Sequence, residues 1–518
     1  MKPFRWLVAA ALICTVLPRA ARSQALPALA TLRVGYNTQK NTIKPTGEMK
    51  ARIDEIDRQI ADASRLGRNG ELRRLFAMGR TLLAGGVWTD TLDYANSMVV
   101  RSERVVVDSA KPYTVRLEQI YSPSIALSAA LQAHATLRKR PAAVGAGGAP
   151  PQPGELVKDL GTFEGVSRDL RESPFPIDID LHDVADGTYQ IGVEVLEPGR
   201  LLGAGTLVVA VRKGLDDLVQ QLENDARRAP DALRADILFP VERMRAVNRG
   251  LLELARTFDP DREFADALAV AAAAKAGKNP FAGRTGDFKR HYLLASANEI
   301  MPYRVHVPKT YTDAKPFPLV VALHGVGGTE DYFFGVYDDK LPSVAEQHGY
   351  IVVAPMGYRI DGGYGWGVAN PPDDPATRRL QERSEQDVMQ VLQLVKQQYR
   401  IDENRMYLLG HSMGGIGTWK VAAKYPDIWA AIAPISGNGQ PATLERMKQI
   451  PEIVVHGDAD ATVNVQGSRT MVAKMKELGI EHVYIEVPGG SHRSVIGPSL
   501  DQIFTFFDAH SKSRRSSQ

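Results

Sequence analysis

Gly410-His411-Ser412-Met413-Gly414 sets a serine between two glycines at the spacing G-x-S-x-G. Glycine has no Cβ, so the chain can turn there sharply enough for a hydroxyl to stand clear of the backbone on both sides. The apolar run Met406 to Leu409 leads into the pentapeptide, and Gly415 to Tyr425 leads out of it as a helix. A strand, a tight turn and a helix in that order is the setting in which such a serine acts as a nucleophile. The bare pattern arises often by chance; the setting gives it weight.

A serine is unreactive near its own pKa, so it needs a base within hydrogen-bond reach, and the base needs a partner that holds its tautomer. After an elbow serine these follow as an acid and then a histidine. Asp460, in His456-Gly457-Asp458-Ala459-Asp460, comes just after the run Ile453 to Val455 and is the expected acid, with Asp458 as its rival. His492, in Gly489-Gly490-Ser491-His492, follows the last apolar run, Val483 to Val487, and is the expected base. His482 precedes that run and lies at its wrong end.

Attack on a carbonyl creates an oxyanion that needs preset N–H donors. One expected donor is the Met413 amide. The second falls in Leu323-His324-Gly325-Val326-Gly327-Gly328, with the Val326 amide chosen and Gly327 as its rival. A glycine-rich loop, Gly362 to Asn370, carries Tyr364 and Trp366 as candidates for lining a substrate pocket, against the commoner role of loop aromatics in plugging a local core.

Composition excludes other chemistries. Cys14 is the only cysteine and falls in the N-terminal segment expected to be cleaved, so the mature chain would have none, which excludes a cysteine nucleophile, thiolate metal sites and iron–sulfur clusters. His324, His411 and His456 sit on separate strand ends without short ligand spacing, so no metal and no organic cofactor are expected. With 63 basic against 60 acidic residues the net charge is only +3, which leaves no electrostatic footprint for nucleic acid.

The elements that must position these residues follow from periodicity. At 518 residues, with 44% hydrophobic and 24% charged content, the chain is globular and long enough for several domains. Lys2 and Arg5, the apolar run Trp6 to Leu17 and small residues up to Ala25 have the order of a secretory signal peptide over residues 1–25. As a helix the twelve apolar residues rise only about 18 Å against a bilayer core of about 30 Å, so a stable membrane anchor is not expected and a secreted or periplasmic location is. A helical hairpin is expected over 45–85, where Ile53, Ile56 and Ile60 and then Leu72, Leu75, Leu82 and Leu83 recur at helical spacing around Gly67 to Gly70.

Alternating runs such as Ile177, Ile179 and Leu181, then Tyr189, Ile191, Val193 and Val195, predict an immunoglobulin-like β-sandwich over 92–213. Within it, Ile125 to Leu137 fits helix or strand, and Pro141 to Gly154 reads as a surface loop. A helical linker region is expected over 214–284. From 285 to 511 short apolar runs alternate with amphipathic helices, which predicts an α/β domain with a mainly parallel sheet covered on both faces.

The extended elbow Gly410-His411-Ser412-Met413-Gly414-Gly415-Ile416-Gly417-Thr418-Trp419, with Tyr425-Pro426-Asp427 and Ala433-Pro434-Ile435-Ser436-Gly437, resembles secreted bacterial esterases of the α/β-hydrolase fold. That group includes feruloyl and acetylxylan esterases and polyhydroxyalkanoate depolymerases. The resemblance covers roughly residues 300–510 and implies a serine hydrolase acting on a small-molecule or polysaccharide-linked ester. Some members carry an N-terminal immunoglobulin-like domain that helps form oligomers, so a homo-oligomer is compatible with it. The long helical segments flanking the sandwich depart from that pattern. Two alternatives stay open: a serine exopeptidase with the same triad, and a polysaccharide- or protein-binding module with marginal catalysis.

Overall fold

The computed structural model describes residues 29–127, 130–140, 153–249, 251, 254, 258–335 and 340–515. The expected signal peptide and most of the Pro/Gly/Ala-rich loop lie outside these residues. Three helices come first: α1 (Leu29–Ile43), α2 (Gly47–Arg65) and α3 (Asn69–Leu83). Tyr36, Ile53, Ile56, Leu72, Leu75 and Phe76 form a small core of their own among them. α1 is an addition to the two helices that the sequence periodicity marks.

A short helix, α4 (Asp90–Ser97), leads into β1 (Met98–Arg101), β2 (Val106–Val107), β3 (Tyr113–Gln119), β4 (Gln132–Lys139), β5 (Leu156–Glu164), β6 (Phe175–Ile179), β7 (Gly187–Glu197) and β8 (Arg200–Val211). They form two sheets, β1-β3-β6 and β2-β8-β7-β4-β5. Val115, Leu117 and Ile177 of the first share one core with Ala133, Val193 and Leu207 of the second. The ambiguous segment before residue 139 is strand from Gln132 onward, because its buried positions alternate and so put every second side chain into that core.

Helices α5 (Leu215–Arg228), α6 (Asp231–Asn248) and α7 (Pro260–Lys275) follow. This segment is more than a linker. Leu222, Ile237, Val241 and Phe264 belong to the same buried cluster as the large sheet beyond them. Asp236 on α6 fixes the junction: its carboxylate accepts from Arg290 Nε at 3.1 Å and from the His291 amide at 2.8 Å.

The large domain runs β9 (Gly286–Leu294), β10 (Glu299–Val307), β11 (Phe317–Leu323), α8 (Lys340–His348), β12 (Ile351–Pro355), α9 (Pro375–Gln398), β13 (Ile401–His411), α10 (Met413–Lys424), β14 (Ala431–Ile435), β15 (Glu452–Gly457), α11 (Gln466–Leu478), β16 (His482–Val487) and α12 (Ile496–Ala509). Its sheet has the order β16-β15-β14-β13-β11-β12-β10-β9. The strands from β11 to β16 pair in parallel, while β9 and β10 add an antiparallel edge. Side chains of a strand alternate between faces. Leu319, Val321 and Leu408 accordingly join the cluster with α9, α10 and α11, while Val320, Leu409 and Val455 join a second cluster with α8 and α12. Burial on both faces explains why these strands read as unbroken apolar runs.

Glu452, at the start of β15, is 0% exposed, and neither carboxyl oxygen has a hydrogen-bond partner among the described residues. Burial pushes this carboxyl well above its ordinary value, so the folded chain holds it protonated. An unfolded glutamate ionises near pH ~4.3, so above that the native state binds more protons than the unfolded one and stability falls as pH rises. Glu452→Met should therefore raise the melting temperature at pH 8 by about 2–4 °C, the shift of a gain near 1 kcal/mol, and flatten the decline between pH 5 and 8. Calorimetry of both proteins across that range checks it; parallel curves would contradict it.

Candidate active site

Ser412 stands between β13 and α10 with φ 57° and ψ −116°, a backbone conformation that non-glycine residues rarely adopt. Its amide donates to the Ile435 carbonyl at 2.9 Å, which ties the turn to β14. The glycines around it are required by contact. A Cβ at Gly414 would lie 1.9 Å from the Leu323 carbonyl oxygen, and one at Gly410 would lie 2.3 Å from the Gly414 carbonyl oxygen. The first turn of α10 thus begins almost in contact with the end of β11. Ser412 itself is 7% exposed.

Asp460 follows β15 and His492 follows β16, and the structure brings them together: His492 Nδ1 donates to Asp460 Oδ2 at 2.7 Å. The other Asp460 oxygen accepts from the amides of Thr462 at 2.8 Å and Val463 at 2.9 Å. His456 Nε2 adds a contact of 3.2 Å to Oδ2. Burial alone would raise this carboxyl, but the hydrogen bonds from His456, His492 and the Val463 amide outweigh it and hold Asp460 far below the usual carboxylate range. The site therefore keeps a full negative charge beside His492. Asp458 is turned elsewhere, its carboxylate accepting from the Gly489 amide at 2.6 Å.

His492 is held against the elbow by its neighbour His411. His411 Nε2 donates to the His492 carbonyl at 2.8 Å, and the two rings lie 4.6 Å apart between centroids. The Tyr332 hydroxyl pairs with His411 Nδ1 at 2.9 Å. Burial first, and then the charge that His492 can carry, push His411 down to about 3, so it stays neutral and supports His492 without competing for its proton. With Nδ1 committed to Asp460, Nε2 of a neutral His492 is the nitrogen left to accept a proton.

On the other side of Ser412, Gly325 packs so closely that a Cβ there would meet the Ser412 Cβ at 3.3 Å. The Gly327 amide is already used, donating to the Ile360 carbonyl at 2.7 Å. The Val326 amide has no hydrogen-bond partner among the described residues. Met413 opens α10, where the first N–H groups of a helix have no acceptor within it.

The aromatic loop separates into two roles. Tyr364, a candidate for lining the pocket on sequence grounds, is fully buried, and its hydroxyl donates to the His324 carbonyl at 3.1 Å. It fills the space left by Gly357 and Gly417, where a Cβ would meet the Tyr364 ring at 2.8 Å and 2.6 Å. It is therefore a plug beneath the loop and not a pocket wall. Trp366 does line a cleft of about 160 Å³, together with Ile416, Trp419, Lys420, Asn438 and Thr443. Ile416 lies one helical turn after Ser412, so the cleft opens beside the elbow.

Sequence reasoning did not single out Ile416, Trp419 or Asn438 as pocket residues, nor His456 and Tyr332 as supports. Ile416 and Trp419 stand in the extended elbow motif, four and seven residues past Ser412, at a spacing that puts them on one helix face. The three histidines on separate strand ends have separate partners. His324 faces the carbonyls of Gly325 and Met356 at 2.8 Å and 2.7 Å, and His456 is paired with Ser468 Oγ at 2.7 Å.

An imidazole oriented by a carboxylate in this way can turn a neighbouring hydroxyl into a nucleophile. Removing the Asp460 charge should cripple that chemistry, because His492 would lose both orientation and its stabilising partner. Labelling of Ser412 by a fluorophosphonate is expected to slow by at least about 10³-fold in Asp460→Asn and by less than about threefold in Asp458→Asn. Equal effects of the two changes, read as labelling rates by mass spectrometry, would overturn the assignment of the acid.

Residues 295–505 match the family model described as "Putative esterase". Feruloyl esterase B of Talaromyces stipitatus is 32% identical over 136 residues, which are 26% of this chain and 35% of that protein. A bifunctional acetylxylan esterase/xylanase of Neocallimastix patriciarum is 29% identical over 162 residues, 31% of this chain and 22% of that protein. The chain thus spans about a third or less of the length of these two relatives. Among solved structures, a thermostable esterase aligns with a TM-score of 0.37 and 18% identity over 80% of this chain and 98% of the other. The stretch that carries Ser412, Asp460 and His492 is thus similar in sequence to esterases.

Proposed function

We propose that the chain is a serine esterase that hydrolyses carboxylic esters through an acyl-enzyme. The observation that carries this reading is the Asp460 carboxylate, 2.7 Å from His492 Nδ1, with His492 held against an elbow whose serine has φ 57°. His492 Nε2 takes the Ser412 proton as Oγ attacks the ester carbonyl carbon. The negative oxygen that forms is stabilised by the amides of Met413 and Val326. The tetrahedral intermediate collapses, the C–O bond to the alcohol breaks, and His492 gives its proton to the departing alkoxide. Water, deprotonated by His492, then attacks the acyl-serine and releases the carboxylic acid with Ser412 restored. No step calls for a metal or an organic cofactor.

The names of the relatives, feruloyl esterase and acetylxylan esterase, support esters linked to plant polysaccharide as the substrate class. The cleft bounded by Trp366 and Ile416 is our choice for the acyl group. We assign the two sheets that share a core before residue 213 to the immunoglobulin type. Export rests on the sequence of residues 1–25 alone.

Ser412→Ala should lower turnover of p-nitrophenyl acetate by roughly 10⁴-fold or more, the loss expected for a removed nucleophile. The wild type should hydrolyse that ester far faster than aminoacyl anilides. Near wild-type rates in the variant would defeat the esterase reading, and a preference for the anilides would move the chain to the exopeptidases.

A further inference from the structure

α1 has two faces with different partners. Leu29, Leu32 and Tyr36 pack into the core shared with α2 and α3, and the Tyr36 hydroxyl donates to Asp57 at 2.8 Å. The opposite face meets the large domain through small polar side chains. Thr38 Oγ1 lies 2.8 Å from Thr462 Oγ1, and Asn41 Nδ2 donates to the Ala461 carbonyl at 2.8 Å. At the other end of the helix Thr31 Oγ1 is 3.7 Å from the point where a side chain on Gly327 would begin.

Those contact points bracket the nucleophile. Gly327 belongs to the loop after β11, and Ala461 and Thr462 to the loop after β15. In the sheet order β15-β14-β13-β11, the strand that leads into Ser412 lies between them. Three strand spacings amount to about 14 Å, and a helix rises about 15 Å over the ten residues from Thr31 to Asn41. The match in length means that α1 spans the carboxyl edge of the sheet from the loop carrying Val326 to the loop carrying Asp460, across the end of β13.

Two further features fit a cover over a binding cleft better than a structural joint. The contact is polar and short, with the apolar side of α1 turned away into its own helical unit. Thr31 Oγ1 is buried with no hydrogen-bond partner among the described residues, at the end of α1 that faces the Val326 loop.

We propose that α1 is the roof of the substrate cleft and limits the size of the group admitted to Ser412. This rests on the serine-hydrolase reading of the site. Because two hydrogen bonds from Thr38 and Asn41 hold it down, the roof yields to bulky substrates only when those contacts open. Pinning α1 therefore selects against bulk, and loosening it selects for bulk.

The pin can be built at Thr38 and Thr462, whose hydroxyl oxygens lie 2.8 Å apart, where the two sulfurs of a disulfide would meet. In full-length protein carrying Cys14→Ser, Thr38→Cys and Thr462→Cys, the rate ratio for p-nitrophenyl decanoate over p-nitrophenyl acetate should fall by about tenfold on oxidation and recover with dithiothreitol. In Thr38→Ala/Asn41→Ala, the same ratio should rise by about fivefold. Labelling of Ser412 by a long-chain fluorophosphonate relative to diisopropyl fluorophosphate should follow both trends.

The labelling ratio does not depend on esters being the substrate, so loss of ester turnover with labelling intact would defeat the esterase reading and leave the roof standing or falling on labelling alone. Ratios unmoved by both the pin and the double alanine variant would overturn the roof. Failure of the two cysteines to form a disulfide under oxidation would overturn it as well, since α1 would then not lie where the roof requires.

Discussion

A serine at the end of a parallel strand can face both an imidazole and an oxyanion site only if the helix that follows starts within contact of the neighbouring strand. Here that contact is the Leu323 carbonyl against the α carbon of Gly414, where a Cβ would intrude to 1.9 Å. The rest of the site depends on it. It places the Met413 amide beside the loop that carries Val326, directly after the positive φ of Ser412. Any side chain at Gly414 would push α10 outward and separate the Met413 amide from the Val326 loop, the two donors proposed for the oxyanion.

The second requirement is charge. A buried carboxylate is costly unless its lone pairs are satisfied. Asp460 meets that condition with two backbone amides on one oxygen and imidazoles at the other. Because the acid loop supplies its own amides, the charge persists without a counter-ion and stabilises an imidazolium on His492 when one forms. His411, kept neutral by burial, can then pack against His492 without placing a second cation there.

The elbow is legible in the sequence because its glycines are demanded by backbone contacts, and such demands leave residue-type traces. The parallel strands are legible too, since burial on both faces removes polar residues from β11, β12 and β14. The antiparallel edge is harder to read. β9 carries Asp287, Lys289, Arg290 and His291, whose partners on α6 and elsewhere are remote in sequence. α1 escapes for a related reason: its apolar face is narrow, and its polar face makes sense only against Gly327 and Thr462. Tyr364 looks like a pocket residue until the small residues at 357 and 417 show where its ring goes.

The account turns on Ser412 Oγ becoming covalently bonded to an acyl group during turnover. Rapid mixing with p-nitrophenyl acetate, acid quench within the first turnovers and mass spectrometry of the peptides tests this most directly. The account predicts an acetyl group on Ser412 that appears with the first burst of nitrophenol and is absent in His492→Ala. Steady release of nitrophenol with Ser412 unmodified, or with the acetyl group on another residue, would contradict it.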